Sequence, residues 1–391
     1  MAIESLYGVV EDIAKDNNFE NPNIAIKPIS SGGANYSSLL YNITISESGK
    51  EDLRLFAKTL AVKEAIRKQL PAGICDVERS IYVELLKKYE DIEIAHNVPS
   101  DKRLLVSKYY GCNTKLFEET VILEDLSAKG YTTYDRFKSI DWDYTAKAME
   151  SLAKFHALSI AFSEENPQEY KEFVEKMEFQ RELFTGMMYQ FYEQRIETTL
   201  SVITENHKNK LKEYLETHIN LESIIKLCKS SERPVLCHGD YRPSNLLHRY
   251  KEDGTLEIIP VDFQNVQCNS PITDLIYFVL MGSDENFRRE HYENLTKHYY
   301  QEMCNALRFL KLDPDVVYPK SVFDHDLKKF LPHGLFMAIF GLPIITVEEE
   351  DAPSVQGGNA IENFTRSKTG ALYPERINGV INDFIRWGII E

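Results

Sequence analysis

The sequence predicts an α+β protein in two lobes, a small β-rich one at the N-terminus and a larger, mostly helical one after it. Three observations carry this. Between residues 24 and 60, short apolar runs are broken by Gly, Asn and Ser, the pattern of strands joined by tight turns. From Tyr144 onward apolar residues recur at helical spacing, and the stretches 160–232 and 284–330 are polar and helical. The length, 391 residues, exceeds one ordinary domain. The lobe boundary is placed at Leu126, giving 1–126 and 127–391.

Residues 1–29 read as a short acidic helix and a strand, Ile24–Ile29. The loop from Ser30 to Ser38 contains Gly32, Gly33, Asn35, Tyr36 and Ser37 and leads into a strand at Leu39–Ile45. Glycines let backbone approach phosphate oxygens, and free N–H groups supply the hydrogen bonds; a plain turn uses the same residues. After the turn Ser46–Lys50, the strand Leu53–Leu60 places Lys58 among apolar neighbours, as a phosphate ligand or as a lysine snorkelling from a sheet edge. Glu78 and Tyr82 share one helix face at i, i+4, and Glu78 is the first choice of partner for Lys58, with Glu84 the second. The plainer reading of Glu78 is a surface ion pair with Arg79 or Lys87. Strands at Leu104–Lys108 and Val121–Leu126 close the lobe, the second running into Ser127–Gly130.

The chemistry is concentrated further on. Val235, Leu236 and Cys237 deliver His238, Gly239 and Asp240, with Asn245 five positions later, and a second apolar run, Ile258–Val261, delivers Asp262. An Asp that accepts the proton of an attacking hydroxyl, with an Asn and a second Asp to hold Mg²⁺, are the parts needed to move a phosphoryl group from ATP to an alcohol. Mg²⁺ takes oxygen ligands and keeps water, so one amide and one carboxylate plus phosphates suffice. Few residues separate Asp262 from Asp274, which opens an apolar helix. A polypeptide acceptor would need a long docking segment there, so no protein substrate is expected and a small-molecule hydroxyl is the better acceptor. His156, inside an amphipathic helix, reads as a hydrogen-bonded core residue. Leu331–Pro343 reads as a buried helix, Glu348–Gly358 as a solvated loop, and a short helix ends the chain.

Net charge of −16 argues against nucleic-acid partners and docking on anionic membranes. Six cysteines lack C-x-x-C spacing, and Met1–Ser5 starts no signal peptide, so reduced thiols and a cytoplasmic location are expected. The longest apolar run, Leu335–Val347, is too short for a membrane span and contains Pro343.

These motifs resemble the ecdysteroid kinase-like (CHK kinase-like) family of the aminoglycoside and choline kinase-type phosphotransferase superfamily. The likeness rests on His238-Gly239-Asp240, Asn245, Val261-Asp262-Phe263-Gln264 and Leu123-Glu124-Asp125-Leu126, and it runs from about Ser30 to the mid-340s. It implies a bilobal, protein-kinase-like fold that uses ATP and Mg²⁺. It implies phosphate contacts from Gly32, Gly33, Asn35, Tyr36, Ser37 and Lys58, with Glu78 pairing the lysine. Glu124 and Leu126 would offer backbone to adenine, Asn245 and Asp262 would bind metal, Asp240 would be catalytic, and Asp274 would brace the loop. The acceptor it favours is an ecdysteroid hydroxyl, chosen by residues 160–232. A xenobiotic hydroxyl, choline, an aminoglycoside, or a catalytically dead protein binding a hydrophobic ligand are the alternatives. The chain departs from the family where Trp is usual two residues after the catalytic Asp, and carries Arg242. Arg242 is expected to stabilise the transferring phosphoryl group or clamp the acceptor; an exposed Arg paired with a surface carboxylate is the plain alternative.

Overall fold

Along the N-terminal strands every second residue turns to the same side, and that alternation builds the first layer of the fold. The computed structural model describes residues 2–29, 38–60, 77–177, 191–351 and 368–391. Within them β1 (Asn23–Ile29), β2 (Ser38–Ser46), β3 (Leu53–Leu60), β4 (Tyr109–Asn113) and β5 (Thr120–Glu124) form an antiparallel sheet in the order β1-β2-β3-β5-β4. Tyr41, Ile43, Leu55 and Ala57 share a buried cluster with Leu6, Val10 and Ile13 of the helix Ala2–Asp16. Burying three such helix side chains is worth roughly 5–9 kcal/mol before the entropy of ordering them. Lys58 follows Ala57 and so faces the other side of the sheet.

Two expectations shift here. Leu104–Lys108 is not a strand; the edge strand starts at Tyr109. The reason lies in hydrogen bonding, because the Leu104 N–H is taken by the Glu93 carboxylate at 2.8 Å instead of a strand neighbour. The strand expected at Val121–Leu126 ends at Glu124, after which the Asp125 carboxylate accepts the Ser127 and Ala128 N–H groups and turns the chain.

The chain divides into two compact units. One comprises Met1–Leu86, Val106–Thr132 and Glu348–Ser367; the other comprises Lys87–Leu105, Thr133–Val347 and Lys368–Glu391. The second unit is helical around Trp142–Glu165, whose cap, Asp141, accepts the Tyr144 N–H at 2.9 Å. Two small ribbons, β6 (Val235–Cys237) with β9 (Gln267–Asn269) and β7 (Leu246–Tyr250) with β8 (Leu256–Pro260), carry the motif loops. The helices Ile272–Gly282 and Leu331–Ile345 are apolar because they are largely buried. Among the described residues no single helix is long and apolar enough to cross a membrane. The helix Tyr373–Arg386 docks on Glu285–Phe309 through a fully buried Arg288–Asp383 ion pair.

Glu93 is also buried, and burial pushes its carboxyl up to about 7, against the Leu104 N–H and the charges of Arg103 and Lys154. Between an ordinary carboxyl value of 4.5 and about 7, the folded chain holds a proton that the unfolded chain has lost. Stability therefore falls as pH rises through that window. Glu93→Gln is expected to shrink the loss of unfolding free energy between pH 5 and 8 by on the order of 1–3 kcal/mol. Urea unfolding of both proteins at the two pH values checks this, and equal losses would refute it.

Candidate active site

The candidate site begins where β6 ends. Gly239 sits at φ +79, and a Cβ there would come within 2.0 Å of the Asn265 carbonyl oxygen, so only glycine fits between His238 and Asp240. The loop is gripped from the helix Ile272–Gly282 by Asp274, whose carboxylate accepts the His238 N–H at 2.6 Å and the Gly239 N–H at 2.9 Å. His156 Nε2 lies 3.1 Å from the same carboxylate and its Nδ1 2.7 Å from the Tyr299 hydroxyl. Burial pushes the Asp274 carboxyl up, and the hydrogen bonds from His156 and the Gly239 N–H work against it, so the net shift is downward. His156 is thus a fully buried structural residue and Asp274 a brace. His156, Cys237 and Asp274 bring three potential metal-ligand atoms within 4.8 Å of one another. The nitrogen and oxygens are already in these hydrogen bonds, and the Cys237 thiol, pushed up by burial, donates to the Ser270 carbonyl at 3.3 Å. The cluster reads as a brace. His238 bridges its own loop to Val261, with Nε2 3.1 Å from the Val261 carbonyl and Nδ1 accepting the Asp240 N–H at 3.3 Å. Burial lowers its pKa, so it stays a neutral imidazole near pH 7.

Three side chains converge on Asp240. Tyr277 donates its hydroxyl to Oδ1 at 2.7 Å, Asn245 donates Nδ2–H to Oδ2 at 2.9 Å, and Arg242 Nε lies 3.1 and 3.3 Å from the two oxygens. Arg242 is buried and its Nη1 reaches Ser244 Oγ at 2.6 Å. The alternative of an exposed Arg on a surface carboxylate is therefore overturned: its carboxylate is Asp240 itself. Burial works against the Arg242 charge, and Asp240, Tyr277 and Asp262 outweigh it, so its proton is held more firmly than usual. Tyr277 escaped the sequence reading; its position three residues after Asp274, on one helix face, was the available signal.

Asn245 Nδ2 also donates to the Asp240 carbonyl at 3.0 Å, which turns Oδ1 the other way. Asp262 follows β8 in a left-handed conformation, φ 66, which costs a non-glycine residue roughly 1–2 kcal/mol and is found at functional turns. The Val261 N–H donates to the Asn245 carbonyl at 2.9 Å, tying the two turns together. An amide oxygen and a carboxylate on adjoining turns are a donor set that fits Mg²⁺.

In the first unit Lys58 Nζ lies 2.9 Å from Glu78 Oε2, and both side chains are largely buried. The helix bearing Glu78, Val77–Ser80, continues through a π turn, Ile81–Leu85, a feature frequent at functional positions. Glu84, the second choice, is exposed. The Glu124 side chain accepts the Lys108 N–H, and the Leu126 carbonyl accepts the Lys129 and Tyr131 N–H groups. Gly32, Gly33, Asn35, Tyr36 and Ser37 lie outside the described residues.

Comparison with known proteins gives the family and the fold. The model of the ecdysteroid kinase-like family matches residues 32–312, and the chain belongs to that family. Among solved structures, an ethanolamine kinase of Plasmodium vivax aligns with 99% of this chain and 90% of its own at 13% identity, with a TM-score of 0.51. The GDP complex of an aminoglycoside 2'-phosphotransferase aligns with 83% and 97% at 12% identity, with a TM-score of 0.39. No curated protein matches the chain. The fold is protein-kinase-like, of the small-molecule kinase type, with a small antiparallel-sheet lobe and a large, mostly helical one.

The Gly239 contact yields a controlled test. Gly130 has a similar φ, +83, but nothing lies within 4 Å of an added Cβ. Gly130→Ala is expected to cost about 1–2 kcal/mol of unfolding free energy, the left-handed penalty alone. Gly239→Ala should cost at least about 1 kcal/mol more, through displacement of Asn265. Urea titrations of the two variants measure the difference.

Proposed function

We propose that the chain is an ATP- and Mg²⁺-dependent kinase that phosphorylates a hydroxyl of a small molecule. The observation that carries this is the convergence of Asp240, Asn245 and Asp262 on two turns joined by the Val261–Asn245 bond. Asp240 receives the proton of the acceptor hydroxyl. Asn245 Oδ1 and the Asp262 carboxylate hold the metal ion, which when bound neutralises phosphate charge. Lys58, oriented by Glu78, contacts the α- and β-phosphates. Gly32, Gly33, Asn35, Tyr36 and Ser37 supply backbone and side-chain donors to the same phosphates, and the backbone at Glu124 and Leu126 receives adenine. Arg242 acts beside the base, on the transferring phosphoryl group or the acceptor. Family membership supports an ecdysteroid side-chain hydroxyl as the acceptor, giving an inactive or storable phosphate ester in the cytoplasm.

The test is Mg²⁺-dependent ADP release over ecdysone, 20-hydroxyecdysone, choline, ethanolamine, an aminoglycoside and phenolic glycosides, with mass spectrometry of the products. A steroid phosphate supports the acceptor; phosphate on another acceptor keeps the chemistry and replaces the substrate; no ADP from any of them overturns the kinase reading. With an active acceptor in hand, Asp240→Asn is expected to lower kcat by roughly 10²–10³ while the KM for ATP holds. Asp262→Asn should raise the KM for Mg-ATP as well. Circular dichroism of both variants separates these signatures from unfolding.

A further inference from the structure

The helix Ile272–Gly282 meets the loop from His238 to Pro243 residue by residue. Asp274 takes the His238 and Gly239 N–H groups, and Tyr277 reaches Asp240. Phe278 lies against Tyr241, ring centroids 5.8 Å apart, and Gly282 leaves room for Pro243, whose Cγ would stand 2.8 Å from a Cβ there. Loop order is matched by helix order. Three of these four helix positions hold backbone or apolar groups; Tyr277 alone touches the carboxylate of the candidate base.

We propose that Tyr277 is a positioning residue that fixes the rotation of the Asp240 carboxylate, so that one acceptor direction is presented to the incoming hydroxyl. Arg242 Nε sits nearly evenly between the two oxygens, at 3.1 and 3.3 Å, and so does not tell them apart. Tyr277 on Oδ1 and Asn245 on Oδ2 do. A carboxylate offers about four lone-pair directions, and these three donors leave about one. Tyr277 is suited to the task. Its phenol is buried, and burial with the Asp240 charge keeps it protonated, so toward a carboxylate it can only donate. Its ring is held by two torsions on a buried helix, with less freedom than the Arg242 or Asn245 side chains in the loop itself. Misplacing a reacting group by about 1 Å can cost on the order of 10²-fold in rate, which makes rotation of this carboxylate consequential.

The proposal rests on the kinase reading, and its test separates the two. Y277F removes one hydroxyl and keeps the ring. With the best acceptor of the panel, its kcat is expected to fall roughly 10–100-fold while the KM for Mg-ATP stays within about twofold. In a D240N background the same substitution should cost almost nothing, because the carboxylate is already gone. Crystal structures of wild type and Y277F should show the Asp240 carboxylate rotating while the backbone of residues 238–245 stays. Equal kcat in wild type and Y277F overturns the positioning role, as does an undiminished loss on D240N. If the wild type releases no ADP, the kinase reading falls instead; an unmoved Asp240 carboxylate in the Y277F crystal then overturns the positioning role without any turnover.

Discussion

The candidate base is held in place by a second carboxylate, that of Asp274, which grips the backbone just ahead of it. A fully buried Asp loses several kcal/mol of hydration, and only a full set of donors offsets that. Asp274 has three: two successive backbone N–H groups of the loop and the ring of His156. His156 is held in turn by Tyr299, so the chain of bonds joins the helices Trp142–Glu165, Ile272–Gly282 and Glu285–Phe309 to one loop. Such networks stiffen when every member is satisfied. Gly239 is the complement of this arrangement, since two N–H groups can point at one carboxylate only if the residue between His238 and Asp240 adopts a conformation that side chains resist.

Much of this was legible in the sequence, for a definite reason. His238, Gly239, Asp240, Asn245 and Asp262 are close in sequence, and short spacing in a loop between strands leaves few geometries. The Lys58–Glu78 pair was readable because strand alternation and helix register each place one partner on a known face. What escaped depends on contacts between elements. Tyr277 reads as one more apolar helix residue until its hydroxyl is seen on Asp240, thirty-seven positions away. The partner of Arg242 could not be told from a surface acid, because it is two residues distant and either side of the loop was open to it. Leu104–Lys108 has strand composition, but Glu93 claims its first N–H, and no periodicity records that.

The two units differ in how they hold charge. In the first, Lys58, on the sheet face opposite the core, is paired at 2.9 Å with Glu78 of a helix, and both side chains are largely buried. In the second, Asp240 carries a counter-ion as well as two neutral donors. Charge neutralisation there comes from Arg242, two residues away in sequence, where the family usually has an uncharged indole. The charge of the candidate base is thus already balanced, and an ammonium group would find less attraction there than at a bare carboxylate.

The Arg288–Asp383 pair has a consequence for the order of assembly. Both side chains are fully buried, and they are ninety-five residues apart. While the chain is being made, Arg288 emerges long before the carboxylate that neutralises it, and a guanidinium cannot be sunk alone without a penalty of several kcal/mol. The helix Glu285–Phe309 can form early, and its Arg288 is covered when Tyr373–Arg386 packs over it and brings Asp383 with it. The second unit thus closes late: its strands are complete by Asn269, yet the partner of Arg288 is made only ninety-five residues after Arg288 itself.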